Sequence, residues 1–250
     1  MRQTRHKPHP ITPGIRGTTP NNIDLRDLAM TVDAPPTSVA THVPLQTEAE
    51  APPDPPVTNP LRGNPGIVGI PITIAGALGL GFVDAGYVPA EAAAAGIPTI
   101  LAATSIGLLL ATVWAAVLGQ NASASLFAVF FGFYASYAAL ALGLTHNWYG
   151  IPDDQIVHTQ AIWLICWLVT IAMLTLVTIR LPWSFTLLLG LVDVALLLLL
   201  VGTLDANTTL VHLGGYVVFA FVAVAVYLYV DLMWSETGGR GLPLGRPLVS

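Results

Sequence analysis

The sequence predicts an all-α integral membrane protein with six transmembrane helices, and three observations support this fold class. Hydrophobic residues make up 54% of the 250-residue chain, charged residues only 9%, and the mean hydropathy is +0.70. Soluble domains carry about 25% charged residues. After Gly63 only three basic and eight acidic residues remain. The same stretch divides into six apolar runs of about 20 residues, the length that crosses a hydrocarbon core of about 30 Å.

Residues 1–62 precede the apolar runs and differ from them in composition. They hold twelve of the 20 prolines and balanced charges, as in TEAEAPPDPPVTNP. Such a segment cannot bury enough apolar surface to offset the entropy of ordering it. We therefore expect a disordered, proline-rich cytosolic tail. The basic first residues are not followed by the apolar region of a cleavable signal peptide.

The six runs are expected to form helices joined by short connections. The first begins with Asn64 as an N-cap and Pro65 in the first turn, where the missing N–H of proline costs nothing. The other ends follow from polar, Gly- or Pro-containing connections. The predicted spans are 65–86, 97–118, 123–145, 157–179, 183–203 and 210–234. They form a six-helix domain over 63–237, followed by a short cytosolic tail, 238–250.

The charged residues between the runs predict the orientation in the membrane. Acidic residues fall in the first, third and fifth connections, namely Asp84, Glu91, Asp153, Asp154 and Asp205. The arginines fall on the opposite side, namely Arg62, Arg180, Arg240 and Arg246. Because positive residues are retained on the cytosolic side, both termini are expected in the cytosol.

Small and aromatic residues indicate how the helices are arranged. The first two runs carry Gly66, Gly69, Gly76, Gly79, Ala103 and Gly107. Small residues let helix backbones approach closely, and in these helices they serve either packing or the lining of a pore. Tryptophans near the run ends suit the membrane interfaces, namely Trp148, Trp163, Trp183 and Trp234.

The chain has no motif for catalysis or phosphate binding: G-x-S-x-G, H-E-x-x-H and the P-loop are absent. A net charge of −5 without a basic stripe excludes nucleic acid as a partner. The single Cys166 excludes an intrachain disulfide. One outer loop carries possible metal ligands, but their spacing favours a solvated loop: His146, Asp153, Asp154 and His158. We therefore expect no enzyme, metal site or cofactor.

The start of the first run has a second interpretation. A helix N-terminus carries free N–H groups and a partial positive charge, so it can hold an anion without Arg or Lys. Asn64, Pro65 and the bare Gly66 could form such a site, as helix ends do in transporters. An ordinary capped helix at the membrane surface is the alternative. His212, at the start of the sixth run, is likewise open between packing and a proton or substrate role.

Three segments resemble the acetate uptake transporter family, the succinate–acetate permeases of bacteria and fungi. NPGIVGI (64–70) resembles the N-P-A-P-L-G-L signature of that family's first helix. FFGFYASYAALAL (130–142) is similar to its S-Y-G-x-F-W segment, with Gly132 on the family glycine and Tyr134 on the aromatic position. The end of the chain, VHLGGYVVFAFVAVAVYL followed by GGRGLPLG, resembles the sixth helix and its G-R-x-x-L-P tail. The resemblance covers about residues 63–247.

The resemblance implies a homo-oligomeric ring, hexameric in that family, whose subunits each enclose a pathway. Small monocarboxylates pass it with coupling to protons. In that family a narrow constriction is formed by the first, third and fifth helices, and its positions correspond here to Thr73, Phe131 and Val192. A bulky Phe is usual where this chain has Thr73, so a wider or wetter gate is expected.

Asp193 lies near the middle of the fifth run, beside the implied constriction residue Val192. A mid-membrane Asp costs about 2.5–3.5 kcal/mol on insertion scales, so it should face the protein interior or a watery path. Burial favours the neutral form of such a carboxyl. We therefore regard Asp193 as a candidate proton site, with a hydrogen bond to a neighbouring helix as the alternative.

The sequence leads to three functional hypotheses. The first is a multi-pass plasma (inner) membrane transporter or channel for small monocarboxylates, acetate and also succinate, coupled to protons. Its pathway would run from the Asn64–Gly66 helix end past Phe131 and Val192. The second is a channel for ammonium or another small polar solute. The third is a non-transporting membrane protein whose proline-rich tail recruits partners.

Overall fold

The computed structural model describes residues 62–249, apart from the side chains of Ala90 and Glu91. The predicted disordered tail therefore lies outside the described residues, except for Arg62. Six segments of the described chain are long and apolar enough to cross a membrane, which confirms the predicted fold class. The α-helices are α1 (Gly66–Asp84), α2 (Ile106–Val117), α3 (Asn121–Thr145), α4 (Ile156–Thr178), α5 (Trp183–Leu204) and α6 (Thr208–Glu236).

The second span differs most from its prediction. It extends over Ala92–Val117 and consists of 3₁₀ turns, a π-helical stretch over Thr99–Ser105 and then α2. Pro98 has α-helical dihedral angles, φ −57° and ψ −43°, and it lies between the 3₁₀ turns and the π-helical stretch, where its missing N–H fits the first turn of a helix. The hydroxyl of Ser105 donates to the Ile100 carbonyl, 2.8 Å away, five residues earlier.

Glycines of the first two spans lie where helices touch. A Cβ added at Gly69 would overlap the Phe127 ring of α3, and one at Gly76 would lie 2.6 Å from the Thr104 side chain. Across the same contact, the Thr104 hydroxyl donates to the Ile72 carbonyl of α1, 3.2 Å away. None of the α1 glycines lines a cavity described below, so the packing role is the one that the structure shows.

The segment after α6 crosses the bundle end instead of leaving it. The Leu242 N–H donates to the Asp231 carboxylate at 2.6 Å, and the Ser184 hydroxyl donates to the Leu244 carbonyl at 2.9 Å. The Trp183 N–H donates to the Arg246 carbonyl at 3.1 Å. The predicted tail is therefore a docked strap over α6 and the start of α5. It lies at the same end as Arg62, and the cytosolic placement of that end stays a prediction.

Candidate functional site

The bundle contains a cavity of about 440 Å³ at the end where α1 finishes. Its wall is mostly aliphatic and aromatic, with a few polar groups from α3, α4 and α5. These polar groups belong to Tyr137, Thr145, Gln160, Trp163 and Thr203, and Asp84 of α1 adds a carboxyl group. This apolar chamber with a few polar groups has the composition of a site for a small molecule.

A smaller cavity of about 40 Å³ lies deeper in the bundle. It shares five lining residues with the large cavity, namely Leu80, Asp84, Phe133, Leu196 and Leu199. This shared ring is called the neck below. Since one water needs roughly 10–15 Å³, the inner cavity has room for only a few waters. The two cavities together form a funnel that narrows towards the middle of the bundle.

Aromatic rings form the floor of the funnel. The Phe130 ring stacks at 6.4 Å from Tyr134 and at 6.2 Å from Phe221, and all three line the inner cavity. The Tyr134 hydroxyl donates to the Thr73 carbonyl of α1, 3.2 Å away. Beyond this floor α1 and α3 are in direct contact at Gly69 and Phe127. The funnel is therefore closed towards the beginning of α1.

Asp84 is the only carboxylic acid among the described residues that line the two cavities, and none of these residues is basic. It is the last residue of α1 and belongs to the neck. Its carboxylate forms no hydrogen bond or ion pair with any other described residue. The lining that the two cavities share therefore carries an acid without a hydrogen-bond or ion-pair partner among the described residues.

The structure places only some of the predicted pathway residues in the funnel. The pathway residue Tyr134 and the constriction residue Val192 line the inner cavity. Thr73 is buried just beyond the floor, where its hydroxyl donates to the Gly69 carbonyl at 2.8 Å. Phe131 is partly buried against the core and lies outside both linings, whereas its neighbour Phe130 takes part in the floor.

The Asn64–Gly66 helix end lies at the opposite end of α1 from the funnel mouth. The Asn64 side-chain oxygen accepts a hydrogen bond from the Gly66 N–H, 2.9 Å away. Pro65 and Gly66 are buried, while Asn64 is exposed. The helix thus begins one residue later than predicted, with Pro65 in the N-cap position, and the Asn64 oxygen is bonded to an N–H group that an anion would use. A role in anion binding stays a prediction.

Asp193 also lies outside both linings, although its neighbour Val192 lines the inner cavity. Its Oδ2 is 2.7 Å from the Thr175 hydroxyl of α4, and its Oδ1 is enclosed without a hydrogen-bond partner. The contact shown is thus a polar link between α4 and α5. A proton role in the pathway stays a prediction.

Two comparisons with known proteins bear on this funnel. A model of the GPR1/FUN34/yaaH family matches residues 48–239, about three quarters of the chain. The chain belongs to the GPR1/FUN34/yaaH family. The resemblance inferred from the three sequence segments is thereby confirmed. No curated protein matches the chain.

A solved structure shares the fold of this protein. It is the structure of the bacterial acetate channel SatP, which is similar with a TM-score of 0.65 and 18% sequence identity. The match covers 74% of this chain and 99% of the SatP chain. Family and fold together place this chain among multi-pass membrane proteins.

Sequence reasoning missed two inward-facing residues. Asp84 was assigned to a connection because an acid at the end of an apolar run usually marks the surface. Trp163 was assigned to the membrane interface, but its indole N–H donates to the Ser136 hydroxyl, 2.9 Å away, and its ring lines the large cavity. Trp167, four residues further along α4, is a second aromatic residue with a polar group. This spacing puts both tryptophans on one face of the helix, which predicts that this face is turned towards the other helices.

The possible metal ligands of the outer loop do not assemble. Among the described residues, no group of three or more His, Cys, Asp or Glu side chains could hold a metal ion. His146 instead stacks its ring on Trp148, with the ring centroids 5.5 Å apart. His212 packs over Gly86, close to the funnel mouth but outside both linings.

Proposed function

We propose that this protein carries small monocarboxylates such as acetate across a membrane, as a channel or a proton-coupled transporter, with succinate as a second substrate. The observation that supports this most is the funnel inside a fold shared with a bacterial acetate channel. The funnel lies within one chain and is lined by residues of α1, α3, α4, α5 and α6, which include the first, third and fifth helices of the constriction that the family resemblance implies.

The dimensions of the funnel favour a short acid. The large cavity offers about 440 Å³ with a mostly apolar wall, which suits a hydrocarbon chain and one polar head. The inner cavity of about 40 Å³ has room for only a few water-sized groups. We therefore expect acetate to be carried faster than the larger succinate, whose second carboxylate would also have to be desolvated.

We also propose a homo-oligomer, hexameric by family resemblance, in the plasma (inner) membrane. Large apolar side chains are exposed along several helices, including Leu110, Ile162 and Leu176. Such faces suit contact with lipid or with neighbouring subunits. Native mass spectrometry of the detergent-purified protein measures the number of subunits, with six expected.

A second function is favoured by one observation. The cavity linings contain the acid Asp84 and no base among the described residues, an electrostatic setting that suits a cation better than an anion. Ammonium or another small polar solute is therefore the alternative substrate. In that case the unpartnered carboxylate would bind the cation directly.

Uptake of labelled acetate into proteoliposomes tests the proposed function. Vesicles that contain the full chain should accumulate label faster than protein-free vesicles, in a saturable manner, and unlabelled acetate should compete. Parallel vesicles with a pH-sensitive dye inside report ammonium entry. Ammonium flux without acetate uptake would support the second function, and the absence of both would support a non-transporting protein.

A further inference from the structure

The neck of the funnel contains an acid and, among the described residues, no basic side chain. Asp84 lies in the lining of both cavities, so a molecule that moves from the large cavity to the inner one passes its carboxyl group. The other neck residues are apolar, namely Leu80, Phe133, Leu196 and Leu199. The neck therefore offers one polar contact only.

The connections around the mouth of the funnel are also acidic. The connections at this end carry Asp153, Asp154 and Asp205. The arginines of the described chain lie at the opposite end of the helices, before α1, after α4 and after α6. A carboxylate anion that enters the funnel thus meets acidic groups, and none of the described lining residues is basic.

Two carboxyl groups that meet away from bulk water cannot both be ionised, because like charges in a poorly solvated site repel strongly. Such a pair is stable when it holds one proton, as an O–H···O⁻ hydrogen bond between the two groups. Among the described residues of the neck, the Asp84 carboxyl is the one polar group that can pair with the substrate carboxyl.

We propose that Asp84 binds the carboxyl group of the permeating acid as a hydrogen-bonded pair with one shared proton, so that the neck admits carboxylic acids only together with a proton. This inference rests on the proposed function. The proton arrives either on the substrate or on Asp84. When the substrate moves into the apolar inner cavity it takes the proton with it. If that proton arrived on the substrate, Asp84 stays ionised as before, and if it came from Asp84, Asp84 regains one from water in the large cavity. The charge of the neck is then the same before and after each passage.

Other titratable groups surround this end of α1. On α3 the Tyr137 phenol lines the large cavity and interacts electrostatically with Asp84. On α6, His212 packs over Gly86, and Tyr216 is exposed. Glu91, in the connection after α1, has a side chain outside the described set. His212 is therefore the group that must be tested separately from Asp84.

The half-saturation concentration of total acetate, measured in proteoliposomes at several pH values, tests this inference. The same pH is set on both sides of the vesicle. For the wild-type protein, binding that requires one proton weakens about tenfold for each pH unit on the alkaline side. In Asp84→Asn the amide N–H binds the anion directly, so the half-saturation concentration should change less than about twofold over the same range.

Matched variants separate the proposed role from others. Asp84→Glu keeps a carboxyl group and should keep the wild-type slope. His212→Gln and Asp193→Asn remove the other candidate proton groups and should also keep it. Asp84→Ser provides a second neutral side chain should Asp84→Asn fail to insert into the membrane.

The outcomes are distinct. A neutral variant that retains the full tenfold slope would overturn the role of Asp84 and leave the proposed function intact, because the bulk concentration of neutral acid would then explain the pH dependence. Loss of the slope in His212→Gln with retention in Asp84→Asn would assign the proton to His212 instead. Absence of saturable acetate uptake by the wild-type protein would overturn both this inference and the proposed function.

Discussion

Phe130 and Phe131 are adjacent in sequence but differ in what their rings can obstruct. Phe130 is 2% exposed and closes the inner cavity together with Tyr134 and Phe221, whereas Phe131 packs outside the cavity wall. The geometry therefore assigns the gate to Phe130, and the family resemblance assigns it to Phe131. Both assignments can be tested with the same substitution at each position.

We expect Phe130→Leu to admit longer acids, because the smaller side chain leaves more room in the inner cavity. One methylene of extra room changes discrimination between substrates by about tenfold. The uptake of butyrate relative to acetate should therefore rise by up to that factor, while Phe131→Leu should leave the ratio unchanged. The reverse pattern would place the constriction at Phe131, as the resemblance implies.

The hydrogen bonds of Asp193 and Thr175 depend on which of the two side chains carries a proton to donate. The Thr175 hydroxyl lies 2.7 Å from Asp193 Oδ2 and 3.0 Å from the Ile171 carbonyl, yet it has a single proton to donate. A neutral Asp193 resolves this, because it can donate to Thr175 while Thr175 donates to Ile171.

Asp193→Asn should therefore keep the α4–α5 contact, since its amide can also donate to Thr175. Asp193→Leu should lower stability by about 0.6–1.7 kcal/mol, the size of polar contacts between membrane helices. Unfolding in mixed micelles measures both variants. Equal stability of the two would mean that the carboxyl does not link the helices.

At the residue scale, the sequence allowed some site residues to be predicted and not others. Tyr134 and Val192 could be found from the family resemblance, and both line the inner cavity. Asp84 could not, because hydropathy treats an acid at the end of a span as a surface residue, whichever way its side chain faces. The direction of a side chain near a helix end depends on packing that hydropathy does not describe.

Helices α3 and α4 are joined by an unusual polar contact. The indole N–H groups of Trp163 and Trp167 both donate to the Ser136 hydroxyl, at 2.9 and 3.0 Å. Ser136→Ala would leave both donors without this partner, at a cost of about 1–3 kcal/mol. We expect a lower unfolding free energy for this variant in detergent micelles.

Thr170→Val is the matched control for Ser136→Ala. The Thr170 hydroxyl donates only within its own helix, to the Cys166 carbonyl at 2.8 Å. Its loss should cost less than about 0.5 kcal/mol. A similar loss of stability in both variants would show that Ser136 does not hold α3 against α4.

Two glycines of the strap after α6 have similar backbone angles but different surroundings, so substitutions at the two positions can be compared. Gly238 and Gly245 have φ angles of 85° and 88°, but space around Gly238 is open, whereas a Cβ at Gly245 would overlap the Trp183 ring. Alanine at either position strains the backbone by about 1–2 kcal/mol.

Gly245→Ala should therefore destabilise the protein more than Gly238→Ala, because it also displaces the strap from α5. The difference in midpoint temperature between the two variants measures the contribution of that docking. Equal midpoints would show that the strap does not stabilise the bundle.

The elements themselves were largely predictable. Six apolar runs gave six spans, because hydropathy and length decide whether a segment crosses a membrane. The π-helical stretch over Thr99–Ser105 and the docked strap were not predicted. Both depend on contacts with other elements, such as Thr104 with Ile72, that no local pattern contains.

Composition indicated a membrane protein and the motifs indicated its family. Neither indicated that aromatic rings close the funnel in the middle of the bundle. The funnel opens at one end and ends at Phe130, Tyr134 and Phe221. Whether a helical bundle encloses a path or a solid core depends on side-chain volumes summed over several helices. That sum appears only once the helices are placed in contact.

If the funnel is the path of the substrate, a large side chain placed inside it should block transport. Ala141 lines the large cavity, so Ala141→Trp should obstruct it, whereas Val169→Trp adds the same ring on the exposed face of α4. In proteoliposomes of equal protein content, we expect Ala141→Trp to reduce acetate uptake about tenfold or more, and Val169→Trp to change it less than about twofold. Equal uptake by the two correctly folded variants would contradict the claim.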